Sequence, residues 1–530
     1  MIPPIESRAR RGLIVGGVMA AMFLAAMEST VVATAMPTVI ASLGGIRIYS
    51  WTFSAFLLTS TVSMPIWGRL ADHVGRRPAY LSGLAVFLLG SAMSGLSQSM
   101  EQLIAFRTLQ GLGAGSLITI GMTIIGDLYG MERRAKMQGY FSSVWGLASL
   151  IGPLVGGLLT DRVSWRWVFY INLPFGLVAA AAITVGLRDE KRGSTRASFD
   201  ILGMTVFVAA ISTLLVGLVQ IGAGDSRLRS SGIGLLVLSL ALLGLFVHVE
   251  RRAIEPVIPL RLFRNPMVRA AAATGLLAGM AMFGAIAYVP LYLQAVVGSS
   301  ATEAGWVLMP FVLGWVVFSI LSARLVLTIG YRPLVFAGMA ALVLAFVLLA
   351  GWNESLTIRI AARDIGIAGI GMGLVFVPML IAVQSAVPRS LLGSATSLTT
   401  FFRTIGGAVG VAIMGAAMSY RLEQGLVGVV TAAPEGLRER LQWLAAHPDL
   451  VVNPVTRGTL GGDLLRQMRP ALAHALAGVF LAGLIIALTA LVSALLVPAG
   501  QARDLAVSGD EAAPAPPARD RPALVKEIRG

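Results

Sequence analysis

Fourteen stretches of this chain are apolar over roughly 20 residues each, the length an α-helix needs to cross the ~30 Å hydrocarbon core of a bilayer. They lie near 13–41, 50–70, 79–98, 101–125, 137–160, 167–187 and 201–221, then 232–249, 270–295, 303–325, 334–351, 358–383, 394–419 and 471–497. Backbone N–H and C=O groups inside a bilayer must be satisfied within the spanning segment. The expected fold class is therefore an all-α polytopic membrane protein. Composition agrees, since only 13% of residues are charged, about half of what a soluble domain carries on its surface. The first run is longer than the roughly 7 to 15 residues of a signal-peptide core and lacks a cleavage-like end, so it counts as a helix.

The net charge of +15 would suggest nucleic acid in a soluble protein. Here Lys and Arg are about twice as frequent in the segments on the N-terminal side of the membrane as in those opposite, which places that side in the cytoplasm. Both termini are expected to be cytoplasmic in a bacterial inner membrane, with the lipid bilayer as partner and no nucleic acid. Cys is absent and the four His are far apart in sequence, so no disulfide and no metal site is expected. The chain contains no His-Glu-x-x-His, no Gly-x-Ser-x-Gly and no nucleotide-binding loop. No catalytic residues and no enzyme activity are expected.

An internal repeat organises the runs. Gly68-Arg-Leu-Ala-Asp-His-Val-Gly-Arg-Arg-Pro-Ala-Tyr-Leu-Ser-Gly83 aligns without gaps on Ala323-Arg-Leu-Val-Leu-Thr-Ile-Gly-Tyr-Arg-Pro-Leu-Val-Phe-Ala-Gly338. Arg69/Arg324, Leu70/Leu325, Gly75/Gly330, Arg77/Arg332, Pro78/Pro333 and Gly83/Gly338 are identical, each pair 255 positions apart. Both copies link a helix ending inside to one starting inside, so the halves are parallel, an arrangement found in transporters with a site between the repeats. The domains are then a six-helix half over 1–187, a linker with two extra helices over 188–265, a second six-helix half over 266–498, and a disordered cytoplasmic tail over 499–530. The extracytoplasmic segment 419–470 reads as an ordered loop in preference to a short amphipathic helix built on Leu437, Leu441, Trp443 and Leu444.

Three motifs make a family resemblance. Gly68-x-Leu-Ala-Asp72-x-x-Gly75-Arg76-Arg77 resembles the loop signature of the major facilitator superfamily, and Leu103-x3-Arg107-x2-Gln110-Gly111-x-Gly113 resembles its fourth-helix signature. Gly146-x5-Gly152-Pro153-x2-Gly156-Gly157 is similar to the antiporter signature found in its exporters. With Trp165-Arg-Trp-Val-Phe-Tyr-Ile-Asn172-x-Pro174-x-Gly176 and fourteen runs, the chain resembles the fourteen-helix drug:proton antiporters of the EmrB/QacA-like type. The resemblance implies a cytoplasmic gate at Gly68, Asp72, Gly75, Arg76 and Arg77. There Asp72, held by Arg76, meets the positive N-terminal end of the helix beginning near Ser394 when the halves close on that side. Met27-Glu-Ser-Thr-Val-Val-Ala-Thr-Ala-Met-Pro37 is similar to the family's first-helix motif, with Glu28 in place of Asp and Ala33 in place of Asn.

The residues support a transport chemistry independently. Ser149, Gly152 and Gly156 fall at i, i+3 and i+7, a stripe on which another helix can approach closely, and Pro153 permits a kink. Gly369, Gly371 and Gly373 read as packing positions, since no strand precedes them and no Gly-Lys-Ser/Thr follows. Glu28 lies roughly 25 Å along the first helix from Arg11, near the bilayer centre, where holding a carboxylate charged is expensive. Reversible protonation there is a natural coupling step.

Arg107 lies at similar depth and has two readings: it holds Glu28 ionised, or it snorkels to the outer interface. Arg403 in Phe401-Phe-Arg-Thr-Ile-Gly-Gly407 is deep with no identifiable partner, and Asp364 is either an ion-pair partner of Arg363 or a second protonation site. Met27, Trp145, Tyr288, Tyr292, Gln294 and Phe401 are candidates for lining a substrate cavity suited to hydrophobic cations.

The expected function is proton-coupled efflux of amphipathic or cationic hydrophobic compounds by alternating access. The alternative is a dedicated exporter of one endogenous lipid, siderophore or antibiotic. Apart from the proton gradient no cofactor is expected. Partners are the small substrates and protons; 419–470 is where a periplasmic adaptor would bind, and without one the chain is expected to be a monomer.

Overall fold

The computed structural model describes residues 8–129, 131–187, 200–222, 226–253, 256, 258, 260–388, 391–432, 435–446 and 462–499. Among these, every regular element is helical. The first half comprises α1 (Arg8–Leu43), α2 (Trp51–Val74), α3 (Arg76–Leu96), α4 (Met100–Leu128), α5 (Met131–Arg162), the single turn α6 (Trp167–Tyr170) and α7 (Asn172–Gly186). Next come α8 (Ile201–Gly222) and α9 (Ser226–Arg252). The second half contains α10 (Pro266–Tyr292), α11 (Ala301–Ile329), α12 (Tyr331–Ala350), α13 (Ile358–Ser385), α14 (Leu392–Ala432), α15 (Glu435–Ala446) and α16 (Gly462–Ala494).

Twelve helices of the described residues are long and apolar enough to cross a membrane, two fewer than the fourteen runs. The two runs not among them belong to α2 and α5, which are 24 and 32 residues long. Helix α2 is diluted by Thr52, Ser54, Thr59, Ser60, Thr61 and Ser63, whose hydroxyls are mostly absorbed by carbonyls of the preceding turn. Most side chains in the first half of α5 lie outside the described residues.

Helix starts follow local chemistry. Ser99, Asn265, Ser300 and Thr357 each accept a backbone N–H of the first turn, and Ser300 with Glu303 forms a reciprocal capping box. Gly75 and Gly330 separate the helices of the two repeats, both at positive φ (99° and 87°), which favours glycine. The repeat extends to packing. A Cβ on Gly83 would meet Ser116 of α4, and one on Gly338 would meet Gly371 of α13, two contacts offset by the same 255 positions. Between helices in lipid, association rests on close packing, and glycines supply it. Gly111 and Gly115 of α4 lie against carbonyls of α2, Gly369 and Gly373 of α13 against carbonyls of α11, and Gly279 of α10 against that of Arg403. The glycines of α13 are thus packing positions.

Segment 419–470 departs from the loop expected for it. With no proline between Leu392 and Pro434, α14 runs on to Ala432, and Glu435–Ala446 forms α15 with Leu441 buried and Trp443 exposed. Residues 447–461 and the tail beyond 499 lie outside the described residues. Helices α8 and α9 pack on each other, and α8 lies against α14 and α2.

Candidate functional site: a buried charge cluster and a joined end

Glu28 is fully buried inside the first half. One carboxylate oxygen accepts from Nη1 of Arg107, and the other accepts from Nδ2 of Asn172 at 2.8 Å. Arg107 and Gln110 stand one turn apart on α4, so Nη1 also reaches Gln110 Oε1 at 2.9 Å, while Nε donates to the Thr52 carbonyl at 3.2 Å. Ser91 of α3 closes the network: its Oγ accepts from Asn172 at 2.9 Å and from Gln110 at 3.2 Å. The guanidinium rests 4.1 Å above the Phe56 ring. Arg107 therefore turns inward onto Glu28 and does not snorkel. All five polar side chains are buried. The amide facing Glu28 comes from the first residue of α7, whereas Ala33 of α1 is packed in the apolar core.

Such a cluster couples a proton to helix positions. An ionised Glu28 accepts from two helices at once; a protonated one becomes a donor on one oxygen and releases the charge of Arg107. Within a buried network that change is costly unless the partners move. Gln110, Ser91 and Asn172 had no role assigned from sequence. The available signal was two amides in motifs already singled out, each inside an apolar run.

The antiporter motif divides its contacts. Gly152 and Gly156 face α1, against Thr30, Met27, Thr34 and the Val31 carbonyl. Gly146, Pro153 and Gly157 face α11 of the other half: a Cβ on Gly157 would lie 2.6 Å from Thr302 Cα, and one on Gly146 3.3 Å from Val316. One turn beyond, Asp161 accepts from the Thr302 N–H at 2.8 Å and the Ala301 N–H at 3.3 Å, together with the Thr302 hydroxyl. An acid of one half thus sits on the unpaired N–H groups that begin a helix of the other.

The end of the bundle around Leu43–Ser50 is here termed the far end, and the end where α1 begins the near end. Hydrogen bonds joining the halves cluster toward the far end: the Tyr49 hydroxyl to the Ala287 carbonyl, Gln294 Nε2 to the Thr34 carbonyl at 2.9 Å, and Ser54 to the Ala408 carbonyl at 2.8 Å.

The five candidate cavity residues whose side chains are described make separate contacts. Tyr288 packs edge-on to Tyr49 with its hydroxyl on the Val411 carbonyl, and Gln294 bridges to Thr34. Tyr292 stacks on Trp352 and Phe480, Phe401 on Phe207 of α8, and Met27 is buried near Gly152. Large flat side chains along α10 are used to fasten helices. The side chain of Trp145 lies outside the described residues.

So does the side chain of Asp72, whose backbone lies in α2; Gly68 is in the same helix, and Arg76 and Arg77 begin α3. Arg77 borders a groove of about 670 Å³ with Arg10, Leu13 and Val185 at the near end, remote from Glu28. Asp364 accepts from Arg363 Nε at 2.8 Å and from the Trp352 indole at 3.0 Å, the ion-pair arrangement. Arg403 lies over the Phe376 ring at 4.9 Å.

Two sequence-related helical halves, joined across one end and enclosing a titratable acid among neighbouring helices, define a secondary transporter. The chain belongs to the Major Facilitator Superfamily, whose family model matches residues 18–411. It is 39% identical over 416 residues to a protein named multidrug transporter protein MdtP of Bacillus subtilis, covering 78% of this chain and 76% of that one. It is 32% identical over 494 residues to multidrug resistance protein 3 of the same organism, covering 92% and 95%. The fold is similar to a bacterial homologue of the human lysosomal transporter Spinster in an inward-facing, unoccupied conformation, with TM-score 0.62 and 16% identity over 93% of this chain and 98% of that one.

Proposed function

We propose that the protein exports amphipathic compounds in exchange for protons by alternating access, through fourteen helices in a bacterial inner membrane with both termini cytoplasmic. The buried Glu28–Arg107–Asn172 cluster carries this reading, because its hydrogen bonds depend on one proton and tie together α1, α4 and α7. Relatives named as multidrug transporters support export. In this orientation the joined far end is extracytoplasmic, so the conformation described is closed outside. Export then requires Asp161 and Gln294 to release α11 and α1, and Asp72 to close the cytoplasmic side. Hydrophobic cations, expected from the methionine and aromatic candidates for the cavity lining, find no free acid at Glu28, which is already engaged by Arg107 and Asn172.

The test is transport in proteoliposomes with an imposed pH gradient. Wild-type protein is expected to move an amphipathic dye uphill, and Glu28→Gln to move it only downhill. Uphill movement by the Gln variant overturns the coupling role.

A further inference from the structure

One charge in the interior of the second half is unaccounted for. Arg403 stands roughly 16 Å along α14 from its near-end start, and a guanidinium stays charged in a protein. Its Nε is buried and meets no acceptor among the described residues. The side chain is turned toward α13, where Phe376 lies 4.9 Å from Cζ with Trp315 of α11 stacked 5.7 Å behind it. Other faces of α14 are occupied: Phe401 packs on α8, and the backbone at Arg403 and Gly410 packs on α10. Yet Arg403, Phe376 and Trp315 all keep part of their surface exposed.

No described acid forms an ion pair with it. Glu28 and Asp364, the acids buried in the bundle, have both oxygens bonded to other residues. An uncompensated charge at this depth is expensive and marks a functional position.

We propose that Arg403, seated on Phe376 with Trp315 packed against that ring, anchors a carboxylate of the exported amphiphile. This rests on the export reading above and narrows its substrate class to amphiphiles that carry an acid beside an aromatic or apolar body. The guanidinium donors lie in its plane and match a carboxylate bidentately. Phe376 meets the cation through its ring, 4.9 Å from Cζ, a contact that consumes no donor. The aromatic pair then supplies the surface for the apolar body.

Two dyes that differ at one group test the assignment: rhodamine 110, with a free carboxylate, and rhodamine 123, its methyl ester. Binding to the full-length protein in detergent is followed by fluorescence anisotropy near neutral pH, without any gradient. Wild type is expected to bind the acid about tenfold or more tightly than the ester, the strength of a charged hydrogen bond. Arg403→Gln is expected to abolish the preference with little change for the ester, and Arg403→Lys to keep part of it, which excludes misfolding as the cause. Equal affinities in wild type, no binding of the acid, or a preference that survives in Arg403→Gln overturns the proposal. Acid selectivity without gradient-driven movement of either dye defeats the export reading instead, while uphill export of both dyes without selectivity defeats only the anchor.

Discussion

The two halves share a backbone plan and differ in how they handle charge. In the first half, Glu28 meets Arg107 and Asn172, and Gln110 and Ser91 close the network, so an acid and a base deep in the bundle satisfy each other. In the second, Asp364 is held by Arg363 and Trp352, while among the described residues Arg403 rests on a ring without an acid partner. Duplication kept the glycine contacts that let helices approach, such as Gly83 on Ser116 and Gly338 on Gly371. It did not keep the polar network. One half has the chemistry to hold a proton and the other an open charge, a division of labour that a symmetric dimer of identical halves would lack.

The comparison breaks first at Glu28. Glu28→Gln is expected to lower gradient-driven flux at least about 100-fold. It also leaves Arg107 buried without a counter-charge, a cost of roughly 3–5 kcal/mol, so melting in detergent should fall as well. The double variant Glu28→Gln/Arg107→Gln is expected to recover stability but not uphill transport. Flux restored in the double variant would show that the pair is structural only.

The next largest effect concerns how the halves meet. Gly157→Val puts a side chain into the backbone of Thr302, which cannot yield as a flexible side chain does. Spin labels at the far ends of α5 and α11 should move apart, and flux should drop about tenfold, within the range expected of overpacked sites. An unchanged distance distribution would remove α5 from the joined interface.

Asn172→Ala tests whether the network transmits. It deletes one charge-assisted hydrogen bond, worth about 1.5–3 kcal/mol, while leaving the Glu28–Arg107 pair. The pH profile of transport is expected to shift with substrate affinity unchanged; a change in affinity alone would place Asn172 in substrate binding.

The smallest effect is expected at Asp161, which is exposed. Asp161→Asn keeps an acceptor for the Thr302 N–H but loses the charge facing the start of α11, about 0.3–1 kcal/mol. The same spin-label pair should show a modest gain in the separated population, and the gain should vanish at high salt.

Much of the site was legible before any contact was known, for reasons that differ by residue. Glu28 stood out because acids are rare in apolar runs, and Arg107 for the same reason. The stripe of Gly152 and Gly156 announced close approach, though not that α1 fills it while Gly157 faces α11. Asp161 went unread because an acid at a helix end looks like ordinary solvated charge; only its 2.8 Å contact with Thr302, 141 positions away, gives it meaning. Tyr288 and Tyr292 stayed ambiguous for the opposite reason, since an aromatic pair one turn apart looks alike whether it lines a cavity or fastens two helices.

By itself the sequence determined that the chain is helical and membrane-embedded, that it is built from two related halves, and which residues are too polar for their surroundings. Those properties rest on hydropathy, spacing and backbone requirements that act within a single helix. The tertiary structure alone decided that Arg107 and Asn172 take Glu28, that the halves join at the far end, and that Arg403 has no acid partner among the described residues. Pairing is a through-space choice: a buried charge is stabilised or penalised by whatever lies within a few ångströms, and in a bundle of crossing helices those neighbours come from anywhere in the chain.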